Sequence, residues 1–345
     1  MSISSSSIVR SAAAAVTVFC AACGGKTPPP TGPTGPTTNA PQISCPADVT
    51  VTGVSSASQA VTYTAPAVSA GAAPIDTTCS PVSGASFPLG TTPVTCAAKD
   101  AMARQATCSF NVTLKGMAIA IKKFDAIGDS ITIGENGERT FVDIPNAYPT
   151  RLQLSLEAAY PSQGIVVLNH GDGGKRMDAI LANVRTFVAA DNPDAVLLEG
   201  GYNDLLNDCG NGSTGTAVCR ETIRTGVPVG LRDCIRKARE ASSRVQFVFV
   251  MTLTPPGPVA KGARDDRRIS SDAIVQANDR IRQIVAAEGA VLVDVYPLFL
   301  GHEAEYIDTD GLHVKPAGYQ VIADAFFAAI QKAVPQTALP LALPR

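Results

Sequence analysis

The stretch "FDAIGDSITIG", residues 124–134, decides how the chain is read. Phe124 to Ile127 form a short apolar strand. Gly128, Asp129 and Ser130 then stop the run and turn the chain toward a helix. A strand ending this way leaves one small hydroxyl, that of Ser130, at the edge of a sheet. Outward from this point the rhythm from residue 118 is strand, then helix. Strand-like runs recur at 121–127, 164–169, 194–199, 245–252 and 290–295. They are apolar nearly throughout rather than alternating, as in parallel strands covered on both faces. Between them, Tyr148, Leu152 and Leu156 (with Pro149 near the start) and Ile322, Phe326 and Ile330 fall at helical spacing, predicting helices over 148–160 and 316–333. Five βα units with right-handed crossovers predict an α/β fold: a three-layer α/β/α domain over 118–335 with the flavodoxin-like strand order 2-1-3-4-5, then a tail over 336–345.

In such sheets, ligands bind at the carboxyl ends of the strands. The strand ends here lead into Gly128-Asp129-Ser130, "NHGDGG" (169–174), "GGYND" (200–204) and "YIDTDGLH" (306–313). A serine, a glycine turn, an asparagine amide and an Asp-x-x-His are therefore presented at one edge. The set suits acyl transfer. A serine hydroxyl needs a base to become a nucleophile, and a histidine with a pKa of about 6.5 suits that task. Of three histidines, His313 has an acid three residues before it, Asp310, placed to hold Nδ1–H and leave Nε2 for Ser130. The oxyanion donors are then Ser130 N–H, a backbone N–H of the glycine turn and the Asn203 side-chain amide.

Residues 124–335 resemble the SGNH hydrolase superfamily, also called GDSL esterases and lipases. "GDSIT" matches the first block of that family, "NHGDGG" the second, "GYND" its Gly-x-Asn-Asp and "DGLH" its Asp-x-x-His, all in order. The resemblance implies Ser130 as nucleophile, Asp310 and His313 as its partners, and Gly174, five residues after Asn169, as the glycine of the oxyanion hole beside Asn203. It implies ester hydrolysis with no metal or organic cofactor. His170 stands where the family more usually has a small residue, and is expected to line the pocket or bond locally. Asp129 and Asp204 read as a turn anchor and a helix cap or loop anchor. Asp308 is the rival of Asp310. His302 lacks the second histidine of His-Glu-x-x-His, because Tyr306 stands there, and reads as a surface residue; "GDGGKR" (171–176) lacks Walker spacing; no Gly-x-Ser-x-Gly surrounds Ser130. The segment 205–230, rich in Gly and Thr, reads as a long loop before a helix starting near Leu231, a lid or specificity wall that a Cys209–Cys219 disulfide would pinch. "TPPGP" (254–258) reads as either a pocket wall or a rigid connection. Cys234 shares an apolar helix face with Leu231 and Ala238 and reads as a buried thiol.

The amino-terminal third differs. Arg10 and the small apolar run 12–22 read as an export signal over 1–23, too short to span a bilayer as a helix. "CAAC" (20–23) has redox or metal spacing but no βαβ context, and resembles a bacterial lipobox with Cys23 acylated, although Cys20 stands where leucine is usual. "GGKTPPPTGPTGPTTNAP" (24–41) reads as an extended tether. Over 42–115, short β-branched alternating runs separated by Gly and Pro predict an all-β, immunoglobulin-like sandwich, and "ISCPADVTVT", "FPLGTTPVTC" and "ATCSFNVTL" resemble the hyalin repeat, an extracellular spacer or adhesion module. Four cysteines allow three connectivities, among which the sequence does not choose; the expected pairs are Cys45–Cys108 and Cys79–Cys96. Seven cysteines follow Cys23, so at least one stays unpaired.

The net charge of −2 provides no field to attract nucleic acid. The expectation is an exported serine esterase, an envelope lipoprotein or else periplasmic or secreted, acting on small-molecule or glycan esters such as acetylated sugars or lipids. The rival is a surface adhesion or binding lipoprotein whose hydrolase domain is inactive.

Overall fold

The computed structural model describes residues 39–54, 57–137, 142–161, 163–210, 215–259 and 269–338. The signal, Cys20, the lipidation candidate Cys23 and nearly all of the tether lie outside them.

The first described region is built of β1 (Gln42–Ser44), β2 (Val49–Val54), β3 (Ser58–Ala60), β4 (Ala67–Ser69), β5 (Asp76–Ser80), β6 (Ser86–Pro88), β7 (Gly90–Lys99) and β8 (Gln105–Ile119). β7 pairs antiparallel with both β5 and β8, β2 joins β8 in parallel, and β1–β4 and β3–β6 form two small antiparallel pairs. The alternation in β7 is a strand's period of two: Val94, Cys96 and Ala98 are buried while Thr95 and Lys99 face out. Val94 packs with Val54, Phe87, Phe110, Val112 and Leu114 into a separate small core. Two disulfides, Cys45–Cys108 and Cys79–Cys96, cross-link this region.

Five parallel strands come next in the chain: β9 (Lys123–Gly128), β10 (Val166–Gly171), β11 (Ala195–Leu198), β12 (Phe247–Met251) and β13 (Val291–Val293). Their spatial order is β10-β9-β11-β12-β13, the doubly wound 2-1-3-4-5 arrangement. All four residues of β11 are buried, as its uninterrupted apolar run requires. The helices are α1 (Ser130–Ile133), α2 (Tyr148–Ala159), α3 (Met177–Asp191), α4 (Tyr202–Cys209), α5 (Ala217–Glu221), α6 (Val227–Ala241), α7 (Ser271–Ala287), α8 (Tyr296–Phe299), α9 (Glu303–Tyr306) and α10 (Pro316–Ala333). α2 and α10 pack together on one face, where Tyr148 stacks on Phe326 with ring centroids 5.0 Å apart. α3, α6 and α7 line up on the other, as right-handed crossovers demand.

Two expectations change. The segment 205–230 is largely helical: α4 runs to Cys209, α5 is capped by the Thr216 hydroxyl, a π turn spans Thr222–Gly226, and α6 starts at Val227 rather than near Leu231. Burial of Leu205, Ile223 and Val227, with the Cys209–Cys219 disulfide, overrides the loop-like composition. The expected tail instead begins with a strand, β14 (Gln336–Ala338), which pairs antiparallel with residues 117–119 of β8. Cys234 is a buried free thiol on α6.

The end of β10 lies so close to α1 that a Cβ on Gly171 would fall 2.0 Å from Ile133 N. Gly171→Ala is therefore expected to push α1 off the sheet. The outcome is a loss of about 1–3 kcal/mol in urea unfolding, as for other overpacked sites, together with lowered esterase activity.

Candidate functional site

Ser130 opens α1 immediately behind β9 and is 5% exposed. Asp129 caps the helix: its Oδ1 accepts from Ile131 N at 3.0 Å, and its Oδ2 accepts from Asn203 Nδ2 at 3.1 Å. The Asp129 N–H donates to Glu199 Oε2 at 3.2 Å, and Thr132 Oγ1 donates to the same oxygen at 3.0 Å. Glu199, at the end of β11, is fully buried. Burial and the facing Asp129 carboxylate raise its pKa well above the usual range, so Glu199 is the neutral member of the pair.

Beyond β10 the chain turns through Gly173 and Gly174. Gly174 has φ +75°, a conformation that favours glycine. The turn leads into α3, whose first residue, Met177, donates its N–H to Asp204 Oδ2 at 3.0 Å. Asp204 thus caps α3 from a neighbouring helix. Asn203 starts the adjoining turn of α4. In the free protein its Nδ2 donates to Lys175 O at 3.0 Å as well as to Asp129.

His313 comes from the loop before α10 and is nearly buried. Its Nδ1 lies 2.5 Å from Asp310 Oδ2, while Asp310 Oδ1 accepts from Leu312 N and His313 N. Burial alone would raise the Asp310 carboxyl, but the bonds to His313 and the backbone hold it below its ordinary value. Asp308, the rival, accepts instead from Gly137 N and Thr309 N. His302 is exposed and pairs with Glu305. His170 is not at the pocket; it bonds to Asp191.

Glu135 is the site residue that pattern reading missed. Its Oε2 lies 3.5 Å from His313 Nε2, the nitrogen expected to face Ser130. Its backbone is held on both sides, N–H to Ser130 O at 2.9 Å and C=O from the Tyr319 hydroxyl at 2.7 Å. Glu135 stands five positions after Ser130, and no motif marks that spacing; the signal was an acid just after the serine's short helix. Burial opposes a charged His313, but Asp310 and Glu135 together raise its pKa to about 9.

Ser130, Glu135, Gly174, Asn203, Asp310 and His313 all line one cavity of about 880 Å3. Pro256 and Gly257 of "TPPGP" form part of its wall, and Leu206 and Asn207 of α4 another. Residues 126–321 match the GDSL-like Lipase/Acylhydrolase family. The chain belongs to that family. It is a serine ester hydrolase, and residues 36–114 match the HYR domain. No curated protein matches. Among solved structures, similar chains include an alpha/beta hydrolase from the Lake Arreo metagenome (24% identity, 62% of this chain and 96% of that one, TM-score 0.45). Others are a lipase/acylhydrolase from Enterococcus faecalis (20%, 62% and 98%, 0.47) and a variant of an acetyl xylan esterase from Geobacillus stearothermophilus (24%, 62% and 95%, 0.47).

With His313 as the base, a part it can take only when neutral, kcat/KM is expected to rise with pH through a midpoint of about 9. Glu135→Gln removes one carboxylate from the imidazolium and moves that midpoint to lower pH. A pH–rate profile on a soluble ester reads the shift. The stability sign comes from a raised folded pKa. His313's contribution is complete below its unfolded value of about 6.5 and is lost as pH rises through about 9.

Proposed function

We propose that this GDSL hydrolase cleaves carboxylic esters through an acyl-enzyme formed on Ser130. One observation carries the reading: Ser130, the Asp310–His313 pair, Gly174 and Asn203 converge on a single cavity. In the first step Ser130 Oγ bonds to the ester carbonyl carbon and His313 Nε2 takes the hydroxyl proton. The carbonyl oxygen gains negative charge and is met by the N–H groups of Ser130 and Gly174 and by the Asn203 amide. His313 then returns the proton to the departing alcohol. Water repeats the sequence on the acyl-enzyme, releasing the acid and restoring Ser130. Asp310 holds the ring by Nδ1 throughout. Asn203 has an added part: to receive the oxyanion it must exchange its bond to Lys175 O or Asp129.

The cavity is far larger than an acetyl group. Its lining includes hydroxyls and amides at Asn207, Ser270 and Ser271 beside apolar Leu206, Val259 and Ile269. This supports an ester of a sizeable alcohol, an acetylated glycan or a lipid. Residues 1–41 support export, with a lipid on Cys23 and the HYR-like domain as spacer.

Hydrolysis of p-nitrophenyl acetate and a long-chain homologue tests the reading. Activity is expected to fall by several orders of magnitude in Ser130→Ala; an undiminished rate in that variant rejects Ser130 as nucleophile. The acyl-length ratio separates short-acyl from lipid esters. Asn203→Ala is expected to lower kcat by ~10²–10³-fold, the usual loss for one oxyanion donor. An effect confined to KM would remove Asn203 from the oxyanion site.

A further inference from the structure

Away from the cavity, a second polar cluster lies between the sheet and α3. Asp125 stands five residues before Ser130, inside β9 rather than beyond its end. It sits on β9 between Phe124, Ala126 and Ile127, all fully buried, and is itself fully buried. Neither of its carboxylate oxygens has a hydrogen-bond partner. Beside it are His170 of β10 and Asp191, the last residue of α3. One ligand atom from each of the three lies within 4.8 Å of the other two. His170 Nε2 is 2.8 Å from Asp191 Oδ2. The imidazole is stacked on Phe187 of α3, with centroids 4.0 Å apart and planes 9° from parallel, which fixes the direction of its nitrogens. Lys123 Nζ donates to Asp191 O at 2.5 Å and lies 3.3 Å from Oδ1, leaving Oδ2 toward the histidine.

A buried carboxylate without a donor is costly, and needs either a proton or a cation. Burial and the charge of Asp191 push the Asp125 carboxyl up to about 7, against the opposing pull of Lys123. The geometry supplies the other solution. We propose that Asp125, His170 and Asp191 form a site for a divalent transition-metal ion of the Zn2+ class, with water completing the shell.

The donor set of one imidazole nitrogen and two carboxylate oxygens suits such an ion. Three ligands at about 2.0–2.1 Å in tetrahedral array sit about 3.3 Å from each other. The His170–Asp191 pair therefore opens slightly, and Asp125 closes inward. Ca2+ fits poorly, since it takes roughly six to eight oxygens. Lys123 is a like charge at the rim and weakens the site, but it is engaged by Asp191 O and Oδ1 and is not a ligand. The bound ion would tie β9, β10 and the end of α3 together, well away from the reacting serine.

The test is titration of ZnCl2 into the chelator-treated full chain by calorimetry. Thermal unfolding and Co2+ visible absorption serve as readouts independent of esterase activity. One equivalent of Zn2+ is expected to bind the wild type and raise Tm. Asp125→Asn and His170→Ala are each expected to weaken binding more than about tenfold. His313→Ala, which removes the histidine of the catalytic cavity, should bind like the wild type. Circular dichroism establishes that each variant is folded, and His170→Ala decides the matter if Asp125→Asn is not. The proposal is overturned if the wild type binds no Zn2+, or if binding survives His170→Ala and disappears in His313→Ala.

Discussion

Asp129 is sealed from solvent, and the active edge is joined through it. Its carboxylate takes the Ile131 N–H in the first turn of α1 and the amide of Asn203, while its own N–H goes to Glu199 at the end of β11. The ends of β9 and β11 and the starts of α1 and α4 are thereby braced to one another. Two acids this close and this buried are tolerable because Glu199 stays neutral. Removing either would leave its neighbours with unmet polar groups in a buried site, which costs more than the bond itself contributes. The position of the serine is thus an outcome of the sheet's polar interior as much as of the turn that carries it.

The glycine turn beside it is secured at both ends. Gly171 lies against the backbone of α1, and Asp204 caps Met177 while meeting Arg176 at 3.4 Å. Arg176 also reaches Asp208, which accepts the Thr222 hydroxyl. A line of polar contacts therefore runs from the glycine turn through α4 to the π turn before α6. The Cys209–Cys219 disulfide closes the same neighbourhood covalently. The two glycines at the centre, Gly173 and Gly174, keep a chain whose flanks are fixed by side chains they lack.

Much of this was legible in the residues. The inner parallel strands β9, β11 and β12 are buried on both faces and write themselves as unbroken apolar runs, and the edge strands β10 and β13, though only partly buried, are apolar enough for all five to be read from 121–295. Ser130, Asp310 and His313 belong to short local patterns, so their meeting at one cavity could be read too. What could not be read depends on groups meeting through the fold. Glu135 acquires its role only because the loop before α10 brings His313 to it. Glu199 looks like a strand-ending acid until Asp129 is seen above it. The helices of 205–230 were hidden by glycines and threonines whose propensity yields to burial and a disulfide. For His170 the sequence left open a pocket residue or a bonded one, and the fold decides: it bonds Asp191 and stacks on Phe187 on the α3 side.

The strand that follows α10 bears on how a sheet edge is covered. β14 covers the last residues of β8, along 117–119, where an open sheet edge would otherwise lie. Gln163 meets the same stretch, accepting from Ile119 N and donating to Met117 O. β14 therefore works as an edge guard: it occupies hydrogen-bonding positions onto which a strand of another molecule would otherwise add. A short strand after α10 thus covers an edge at the junction between the two β-built regions, where an open edge could seed aggregation.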